Sequence, residues 1–360
     1  MARRSERWTA NYLALIGGHP RGLGASLLRS FLFVSSWLYG RAIWLRNRCF
    51  DWGWKQRVEA AVPVISVGNL TVGGTGKTPC VEYIARFLQA AGLRVAILSR
   101  GYRSAGGPND EALLLAENLS EVPHFQGADR AALAAKAVAE FGSEVLILDD
   151  GFQHRRLNRA LDIVLVDATQ TWGFGHLLPR GLLREPPREL RRANVVLLTH
   201  CDQVNEKQKS RLRLEIERLA PGVPIIETEH QPLEWLRVDG QTLPLNEIGG
   251  PAAAFCGIGN PASFRKTLES IGISIQAFRT FPDHHHYDRA SLEELESWAR
   301  ALSPHWPLLT TQKDLVKLRR VHLANHDLWA LRIGLFIQKG EETLRQLLLN
   351  AAPVAAPLSI

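Results

Sequence analysis

Short apolar runs with few polar interruptions recur through the middle of the chain, and stretches with helical spacing lie between several of them. The clearest runs are 62–67, 95–98, 145–148, 163–166 and 195–198. Because these runs hardly alternate with polar residues, they predict strands that are buried on both faces of a sheet. The clearest helical stretch, 129–141, is rich in alanine and is stopped by Gly142. Strands that alternate with helices predict an α/β fold with a mostly parallel sheet flanked by helices.

The pattern changes after residue 230. Short apolar segments on either side of Asp239 and Gly240 predict a two-stranded ribbon, since these two residues favour a tight turn. We interpret residues 231–249 as a linker for this reason. Beyond it we expect a second, smaller α/β domain, in which Ser291 and Glu294 form a capping box at the start of a helix. Its strands are predicted at 252–258, 273–278, 308–311 and 329–337.

An amphipathic helix is predicted near the N-terminus, where apolar residues recur at helical spacing. This apolar stripe consists of Leu27, Phe31, Val34, Leu38, Ala42 and Leu45. The apolar run at 31–40 is interrupted by two serines and flanked by Arg29 and Arg41, so it falls far short of the roughly 20 residues that a membrane span needs. Two interpretations remain open: the stripe packs on its own domain, or it lies in the interface of a membrane.

The distribution of charge favours the membrane interface. The formal net charge is +7, but nine arginines and one lysine against Glu6 and Asp51 give residues 1–58 a charge of +8, which leaves about −1 for the rest. Five of the ten tryptophans lie in the same stretch, and arginine with tryptophan is typical of segments that meet anionic headgroups. A nucleic-acid-binding protein would more often carry its basic residues on the folded domain, beside aromatic platforms. We therefore expect an anionic membrane surface, and no nucleic acid, as a partner.

The overall composition is that of a globular enzyme in a reducing compartment. Hydrophobic residues make up 46% and charged residues 22% of the chain, which excludes collagen, coiled coil and disorder. The four cysteines are scattered with no close pair, so neither a zinc site nor a disulfide framework is expected. No secretory signal is recognisable, which favours the cytoplasm, and no feature indicates an obligate protein partner. The predicted organisation is an N-terminal helix region (1–58), a larger domain (59–230), the linker (231–249) and a smaller C-terminal domain (250–350).

The strongest chemical signal is a glycine-rich turn between the first predicted strand and a helix that starts near Pro79. The turn consists of Gly73, Gly74, Thr75, Gly76, Lys77 and Thr78. Glycines at such a junction let backbone N–H groups surround phosphate oxygens, while the lysine reaches the terminal phosphates and the hydroxyl ligates Mg²⁺. The general pattern has glycine where this chain has Thr71, so the match is to the final Gly-Lys-Thr. The turn predicts a P-loop NTPase-type fold.

Two carboxylates, Asp149 and Asp150, follow the run at 145–148, at the edge where open α/β sheets bind ligands. One is expected to hold Mg²⁺, directly or through water, and the other to orient the metal shell or a nearby base. Two further candidates are Asp110, in a loop, and the run 283–287, which contains three adjacent histidines. Because three adjacent histidines cannot comfortably face one metal ion, a single functional histidine beside a carboxylate is favoured over a metal site.

Together these motifs resemble those of the tetraacyldisaccharide 4′-kinases, the lipid A 4′-kinases of bacteria with lipopolysaccharide. The resemblance extends from about residue 62 to residue 318 and does not depend on one short motif. It rests on residues 68–79, 99–102, 149–154, 255–258, 283–284 and 310–314. The string Asp-Asp-Gly-Phe-Gln-His at 149–154 is the most specific of these, because it is much rarer than a phosphate loop.

The resemblance implies that residues 59–230 form a P-loop kinase domain that uses ATP and Mg²⁺. The reaction would be transfer of the γ-phosphoryl group to the 4′-hydroxyl of a tetraacylated glucosamine disaccharide 1-phosphate, giving lipid IVA. The enzyme would be peripheral, on the cytoplasmic face of the inner membrane, with no transmembrane span. Carried over by position, Lys77 and Thr78 hold phosphate and Mg²⁺, and Asp149 and Asp150 complete the metal side.

The remaining roles implied by the resemblance concern the acceptor. Asp110 would act with His284 on the attacking hydroxyl, and His154 and Arg184 would lie close to the phosphates or the disaccharide. His284 is favoured over His285 and His286 because it directly follows Asp283. Two positions depart from the family pattern, which has glycine at Asn109 and alanine at Arg180, and the role of Arg180 stays open.

The main alternative is a P-loop GTPase or ATPase that acts as a metal-insertion or partitioning switch. Partitioning ATPases carry an additional lysine just before the glycine pair, where this chain has Val72. Guanine recognition requires Asn/Thr-Lys-x-Asp, whereas residues 199–202 of this chain are Thr-His-Cys-Asp. Both differences disfavour the switch hypothesis.

Overall fold

The computed structural model describes residues 11–101, 110–283 and 285–352. The described residues form two compact units. Unit 1 contains 11–101, 119–229 and 336–352, and unit 2 contains 110–118, 230–283 and 285–335. This division differs from the predicted boundaries. The described N-terminal region and the C-terminal segment belong to unit 1, whereas the segment 110–118 and the predicted linker belong to unit 2.

Strands and helices alternate along most of the chain. The strands are β1 (Val64–Asn69), β2 (Val95–Ser99), β3 (His124–Gln126), β4 (Val145–Asp149), β5 (Leu161–Asp167), β6 (Val195–Thr199), β7 (Ile225–Leu236), β8 (Thr242–Leu243), β9 (Gly250–Cys256), β10 (Ile273–Thr280), β11 (Leu308–Thr311), β12 (His322–Leu323) and β13 (His326–Lys339). The helices are α1 (Leu23–Asp51), α2 (Lys77–Ala90), α3 (Asp110–Asn118), α4 (Arg130–Phe141), α5 (Glu206–Leu219), α6 (Pro261–Ser270), α7 (Arg289–Arg300), α8 (Gln312–Leu318) and α9 (Glu341–Ala351). Residues 11–16 are also helical.

The sheet of unit 1 has the strand order β7-β6-β5-β1-β4-β2-β3, and every neighbouring pair is parallel. All residues of β1, β4 and β6 are buried, which explains why they form continuous apolar runs in the sequence. The predicted α/β fold and its five strands in this region are confirmed. Val67 of β1 pairs with Asp149 of β4, so the carboxyl ends of these strands meet at one edge. That edge carries both the glycine-rich turn and the paired carboxylates.

Unit 2 is a smaller α/β arrangement. Strand β9 lies between β10 and β11 and is parallel to both, and β13 is parallel to β11. Residues 231–249, predicted as a linker, belong to this unit. The end of β7 pairs antiparallel with β8, and Trp235 is fully buried in one core cluster with Ile248. A buried indole contributes a large apolar area, so the ribbon is an integral part of unit 2.

Helix α7 begins before the position that the sequence analysis gave it. Its N-cap is Asp288, whose carboxylate accepts a hydrogen bond from the backbone N–H of Ser291 at 2.9 Å. The capping box predicted at Ser291 and Glu294 is therefore wrong, and Glu294 pairs instead with Arg279. Aspartate and serine have similar N-cap preferences, and the sequence offered both, three residues apart.

Helix α1 packs on unit 1 through small and polar residues. Ser36 Oγ donates to Leu177 O at 2.7 Å, and a Cβ added to Gly40 would lie 2.9 Å from Leu177 Cδ1. The apolar stripe faces away: Phe31 is 67% exposed and Leu38 is 59% exposed. The interpretation that the stripe packs on its own domain is therefore wrong, although the helix itself does so through another face. In the part of the chain that the structure describes, no helix is both long enough and apolar enough to span a bilayer.

We expect Leu344→Ala to destabilise unit 1 by about 2–5 kcal/mol, because it removes a fully buried side chain of α9 and leaves a cavity. Leu349→Ala, on the same helix, is the control, since Leu349 is 36% exposed. The thermal unfolding midpoints of the two variants give the comparison. Equal decreases of the two unfolding midpoints would contradict the conclusion that Leu344 packs α9 into the core of unit 1.

Candidate phosphate-binding and catalytic site

The glycine-rich turn lies between β1 and α2, as predicted. Gly73 and Gly76 have φ angles of 128° and 82°, a region in which residues with a Cβ are strained. Gly76 directly precedes α2, and no side chain caps that end of the helix. The backbone N–H groups of the first turn of α2 therefore present the positive end of the helix dipole to the loop, which favours binding of a phosphate.

Hydrogen bonds from neighbouring strands fix the shape of this turn. Asn69 Nδ2 donates to Thr75 Oγ1 at 2.9 Å, and Thr199 Oγ1 donates to Thr75 O at 3.1 Å. Gln153 Nε2 donates to Asn69 O at 2.8 Å, which joins the segment after β4 to the end of β1. A turn held in this way is preorganised, so less conformational entropy is lost when a ligand binds.

Asp150 connects the two cationic side chains that the sequence analysis assigned to the site. Arg184 Nη1 donates to both carboxylate oxygens, at 2.7 and 2.8 Å, and Lys77 Nζ lies 3.7 Å from Oδ1. Burial by itself would raise the pKa of Asp150, but the charges of Lys77 and Arg184 outweigh burial and hold the pKa below its usual value. The structure thus brings two predicted site residues, Lys77 and Arg184, together around the ionised carboxylate of a third, Asp150.

The backbone that carries Asp150 follows β1 very closely. Asp150 itself has a φ angle of 52°, in the left-handed region that residues with a Cβ rarely adopt. A Cβ on Gly68 would lie 2.6 Å from the backbone N of Phe152, and a Cβ on Gly151 would lie 2.6 Å from Ser66 Oγ. This close approach is the physical reason for glycine at both positions and for the tight turn that presents the carboxylate.

Thr78 and Asp149, the predicted Mg²⁺ ligands, are both buried at this edge. Burial, followed by the negative charge of Asp149, raises the pKa of the Cys80 thiol. Asp149 therefore lies near the first turn of α2, which carries both Cys80 and Thr78. A hydroxyl and a carboxylate are hard oxygen donors, and Mg²⁺ is commonly held by one or two such ligands together with substrate phosphates. The donor set therefore fits Mg²⁺. No cluster of three or more His, Cys, Asp and Glu among the described residues could hold a metal ion by itself.

His154 is paired with Arg130, which the sequence analysis missed. Its Nδ1 accepts a hydrogen bond from Arg130 Nη1 at 3.2 Å, and its Nε2 makes no hydrogen bond to any described residue. Burial, followed by the charge of Arg130, lowers the pKa of His154 to about 4. The imidazole is therefore neutral at pH 7, with its proton on the donor atom Nε2. Arg130 is the first residue of α4, where a cation opposes the helix dipole, and that unfavourable position is the sequence signal that could have identified it.

Arg184 lies in a segment that is tied both to the phosphate-binding turn and to helix α1. The backbone N–H of Arg184 donates to Leu70 O at 2.7 Å, just before the turn. Tyr39 OH, on α1, donates to Arg184 O at 3.0 Å. The position of this arginine therefore depends on contacts from two sides, in addition to its pair with Asp150.

Arg180, whose role the sequence left open, contacts the N-terminal helices. Its Nη1 donates to Ile16 O at 2.8 Å, and its backbone N–H donates to Ser36 Oγ at 2.9 Å. These contacts fasten residues 11–16 and α1 to the segment that carries Arg184. Asn109, the other departure from the family pattern, lies outside the described residues.

Asp110, the predicted base, is the first residue of α3 in unit 2. Its side chain is 8% exposed, and its Oδ2 lies 3.1 Å from Nζ of Lys317. Lys317 was missed by the sequence analysis. The available signal was its position three residues after Asp314, which ends the Thr-Thr-Gln-Lys-Asp motif.

The histidine run at 284–286 lies only partly within the described residues. His284 lies outside the described residues. The ring of His285 stacks on Phe281 with a centroid distance of 4.8 Å, and its backbone O accepts a hydrogen bond from Lys317 Nζ at 3.2 Å. His286 is exposed. The stacked ring of His285 is therefore engaged in packing.

Comparisons with known proteins give a consistent result. A family model described as tetraacyldisaccharide-1-P 4′-kinase (LpxK) matches residues 28–352. A tetraacyldisaccharide 4′-kinase of Anaeromyxobacter sp. (strain Fw109-5) is 39% identical over 351 residues, covering 91% of this chain and 93% of the relative. Another, of Syntrophus aciditrophicus (strain SB), is 40% identical over 314 residues, covering 80% and 83%. The crystal structure of LpxK from Aquifex aeolicus in complex with ATP has a TM-score of 0.72 and 33% identity, covering 90% of this chain and 99% of that one.

We expect the ring of His154 to titrate near pH 4 in the native protein, and Arg130→Met to raise that midpoint because it removes a neighbouring positive charge. The folded-state pKa lies below the 6.5 of an ordinary histidine, so the unfolded chain binds this proton first. The group therefore lowers the stability of the protein as the pH falls from 6.5 to about 4. Proton NMR of the imidazole ring measures the midpoint. A native midpoint near 6.5 would contradict the buried, neutral imidazole.

Proposed function

The chain belongs to the tetraacyldisaccharide-1-P 4′-kinase family, and from this premise we propose how its own residues carry out the reaction. The protein is an ATP-dependent kinase that transfers the γ-phosphoryl group to the 4′-hydroxyl of a tetraacylated glucosamine disaccharide 1-phosphate, giving lipid IVA in lipid A biosynthesis. The alternative, a GTPase or ATPase switch, is not favoured, because the family match extends over most of the chain.

The observation that carries the proposal is the convergence of Lys77 and Arg184 on Asp150, next to a preorganised phosphate-binding turn. In phosphoryl transfer there is little covalent chemistry for the protein to do, and catalysis consists mainly of positioning and of countercharge to the phosphate oxygens. Backbone N–H groups at residues 73–78 bind the ATP phosphates in this proposal. Lys77 and Arg184 stabilise negative charge on the phosphoryl group as it moves.

Mg²⁺ is the second part of the proposal. Thr78 and Asp149 would hold it, since they supply a hydroxyl and a carboxylate at the same edge of the sheet. The ion supplies charge neutralisation between the ATP phosphates when it is bound. Asp150 then has a separate task, because its oxygens already hold Arg184 and lie near Lys77.

The attacking hydroxyl is assigned to Asp110 and His284. The carboxylate of Asp110 is buried and lies 3.1 Å from the ammonium of Lys317, and a carboxylate positioned in this way is suited to take the proton of the 4′-hydroxyl as a general base. The role of His284 rests on the family resemblance. His154, neutral and with its Nε2–H unpaired among the described residues, is suited to donate a hydrogen bond to a phosphate or sugar oxygen.

Because the substrate carries acyl chains, we expect the enzyme to work at a membrane surface, which we propose is the cytoplasmic face of the inner membrane. Removing acyl chains from a bilayer costs roughly 0.8 kcal/mol per CH₂ group. The exposed stripe of α1 supplies an apolar face of the kind that inserts into the acyl boundary. Arg41, which is exposed, is suited to meet anionic headgroups. Arg46 is not, because it is paired with the buried Glu185.

We expect Lys77→Ala and Asp149→Ala each to reduce phosphoryl transfer by about a hundredfold or more, because each removes charge that is positioned around the phosphates. The assay follows label from γ-labelled ATP into the acylated disaccharide 1-phosphate in detergent. Lys136→Ala is the control, since the ion pair that Lys136 makes among the described residues is a surface pair with Glu140 on its own helix. A loss below about tenfold, or ~1.4 kcal/mol, would place a residue outside the site. Label that appears only as free phosphate with the native protein would contradict the kinase itself.

We expect the native protein to sediment with anionic liposomes, and replacement of Phe31, Val34 and Leu38 by serine to weaken this, because the apolar face is lost. High salt should reduce native binding only in part, since salt screens the arginines and spares the apolar contacts. Leu214→Ser is the control, because it removes an apolar residue that is 62% exposed outside α1. Undiminished sedimentation of the triple variant would contradict the proposed membrane face.

A further inference from the structure

Lys317 is a buried cation that joins three separate segments of unit 2. Its side chain is 8% exposed. Nζ lies 3.1 Å from Oδ2 of Asp110 on α3, 3.2 Å from the backbone O of His285 and 3.6 Å from Oδ1 of Asp314 on its own helix. A lysine ammonium has three N–H donors and no acceptor. Two oxygens lie 3.1 and 3.2 Å from the ammonium, and the carboxylate of Asp314 faces it at the distance of an ion pair, which together compensate the buried charge.

Asp314 anchors this group of contacts. Its side chain is fully buried, and Oδ2 accepts hydrogen bonds from Gly257 N at 2.9 Å and from Thr311 Oγ1 at 2.6 Å. A Cβ on Gly257 would lie 3.0 Å from Asp314 Oδ1, so glycine allows the backbone after β9 to approach the carboxylate. The motifs at 255–258 and 310–314 are thus joined through Asp314, and Lys317 is anchored to both.

The charges of Lys317, Asp110 and Asp314 indicate a specific role for Lys317. Asp110 and Asp314 are two buried carboxylates close to one ammonium. Two buried carboxylates so close together repel each other, and the ammonium between them compensates that repulsion and fixes where Asp110 points. Asp110 has two oxygens with about four lone-pair sites, so a contact at Oδ2 does not use up its capacity to accept a proton.

We propose that Lys317 is a positioning residue for phosphoryl transfer, which orients the carboxylate of Asp110 and holds the backbone at His285 through its carbonyl. The inference rests on the proposed function, because it assumes that Asp110 acts as the base. Lys317 does not touch the substrate in this account. Its effect on turnover therefore depends on Asp110. The effect of a lysine that only stabilised the fold would not depend on that carboxylate.

A double-mutant cycle between Lys317→Met and Asp110→Asn tests the inference in the full-length protein. We expect Lys317→Met to lower kcat about tenfold or more and to change the KM for ATP less than about twofold, since general-base catalysis is worth 10²–10⁴ and acts on the acceptor. In the Asp110→Asn background, Lys317→Met should lower kcat less than about twofold, because the carboxylate that Lys317 orients is already absent. Lys317→Arg keeps the charge and should recover part of the lost kcat.

Matched measurements separate this role from a structural one. Lys266→Met, at an exposed lysine of unit 2, should leave kcat unchanged, and thermal unfolding midpoints show that each variant is folded. If Lys317→Met does not fold, the cycle is run with Lys317→Arg, whose smaller loss should likewise vanish in the Asp110→Asn background.

Two outcomes would overturn the inference, and they differ from each other. If kcat of the double variant falls by the product of the two factors found for the single variants, Lys317 acts independently of Asp110. The role of Asp110 as the base then stands. If Asp110→Asn retains full turnover, the proposed base is wrong and the inference fails with it.

Discussion

The site depends on one electrostatic constraint, the need of Asp150 for positive charge. Its carboxylate lies in a partly buried turn at the end of β4, where it stays ionised because Arg184 and Lys77 face it. Each of these cations belongs to a different segment, one to the start of α2 and the other to the segment beside Leu70. A single carboxylate thus holds together two groups of like charge that would otherwise repel each other, in the arrangement that phosphate oxygens require.

The same segment links the site to the helix that carries the exposed apolar stripe. The side chain of Glu185 next to Arg184 is fully buried, and it is paired with Arg46 of α1 and with Arg192. Burial raises the pKa of Glu185, although both arginines oppose that rise. Asn47, also on α1, donates to Glu189 Oε2 at 3.1 Å. Helix α1 is therefore seated by polar contacts, which leaves its apolar residues available for a membrane.

A feature of this structure could be predicted from the sequence when the residues that determine it lie close together along the chain. Strands such as β1 and β4 could be predicted because burial on both faces leaves a continuous apolar run. Lys77 and Asp149 could be predicted because a phosphate loop and a strand end are short local patterns. Arg130 and Lys317 are marked in the sequence only by their positions, at the first turn of a helix and just after a motif. Their pairs with His154 and Asp110 are created only by folding, because those partners are distant in sequence. The packed face of α1 was missed because it combines Ile43 with small and polar residues, Ser36, Gly40 and Asn47, so it does not form a hydrophobic stripe.

The most direct test of the account is the rate of a single turnover of γ-labelled ATP with the acylated disaccharide 1-phosphate, catalysed by Asp150→Asn. Asparagine keeps the shape of the side chain and removes the charge that holds Arg184 and Lys77. The account predicts a loss of about a hundredfold or more in the transfer step, with thermal unfolding showing a folded protein. A folded variant that transfers label at the native rate would contradict the claim that Asp150 organises the phosphate side of the site.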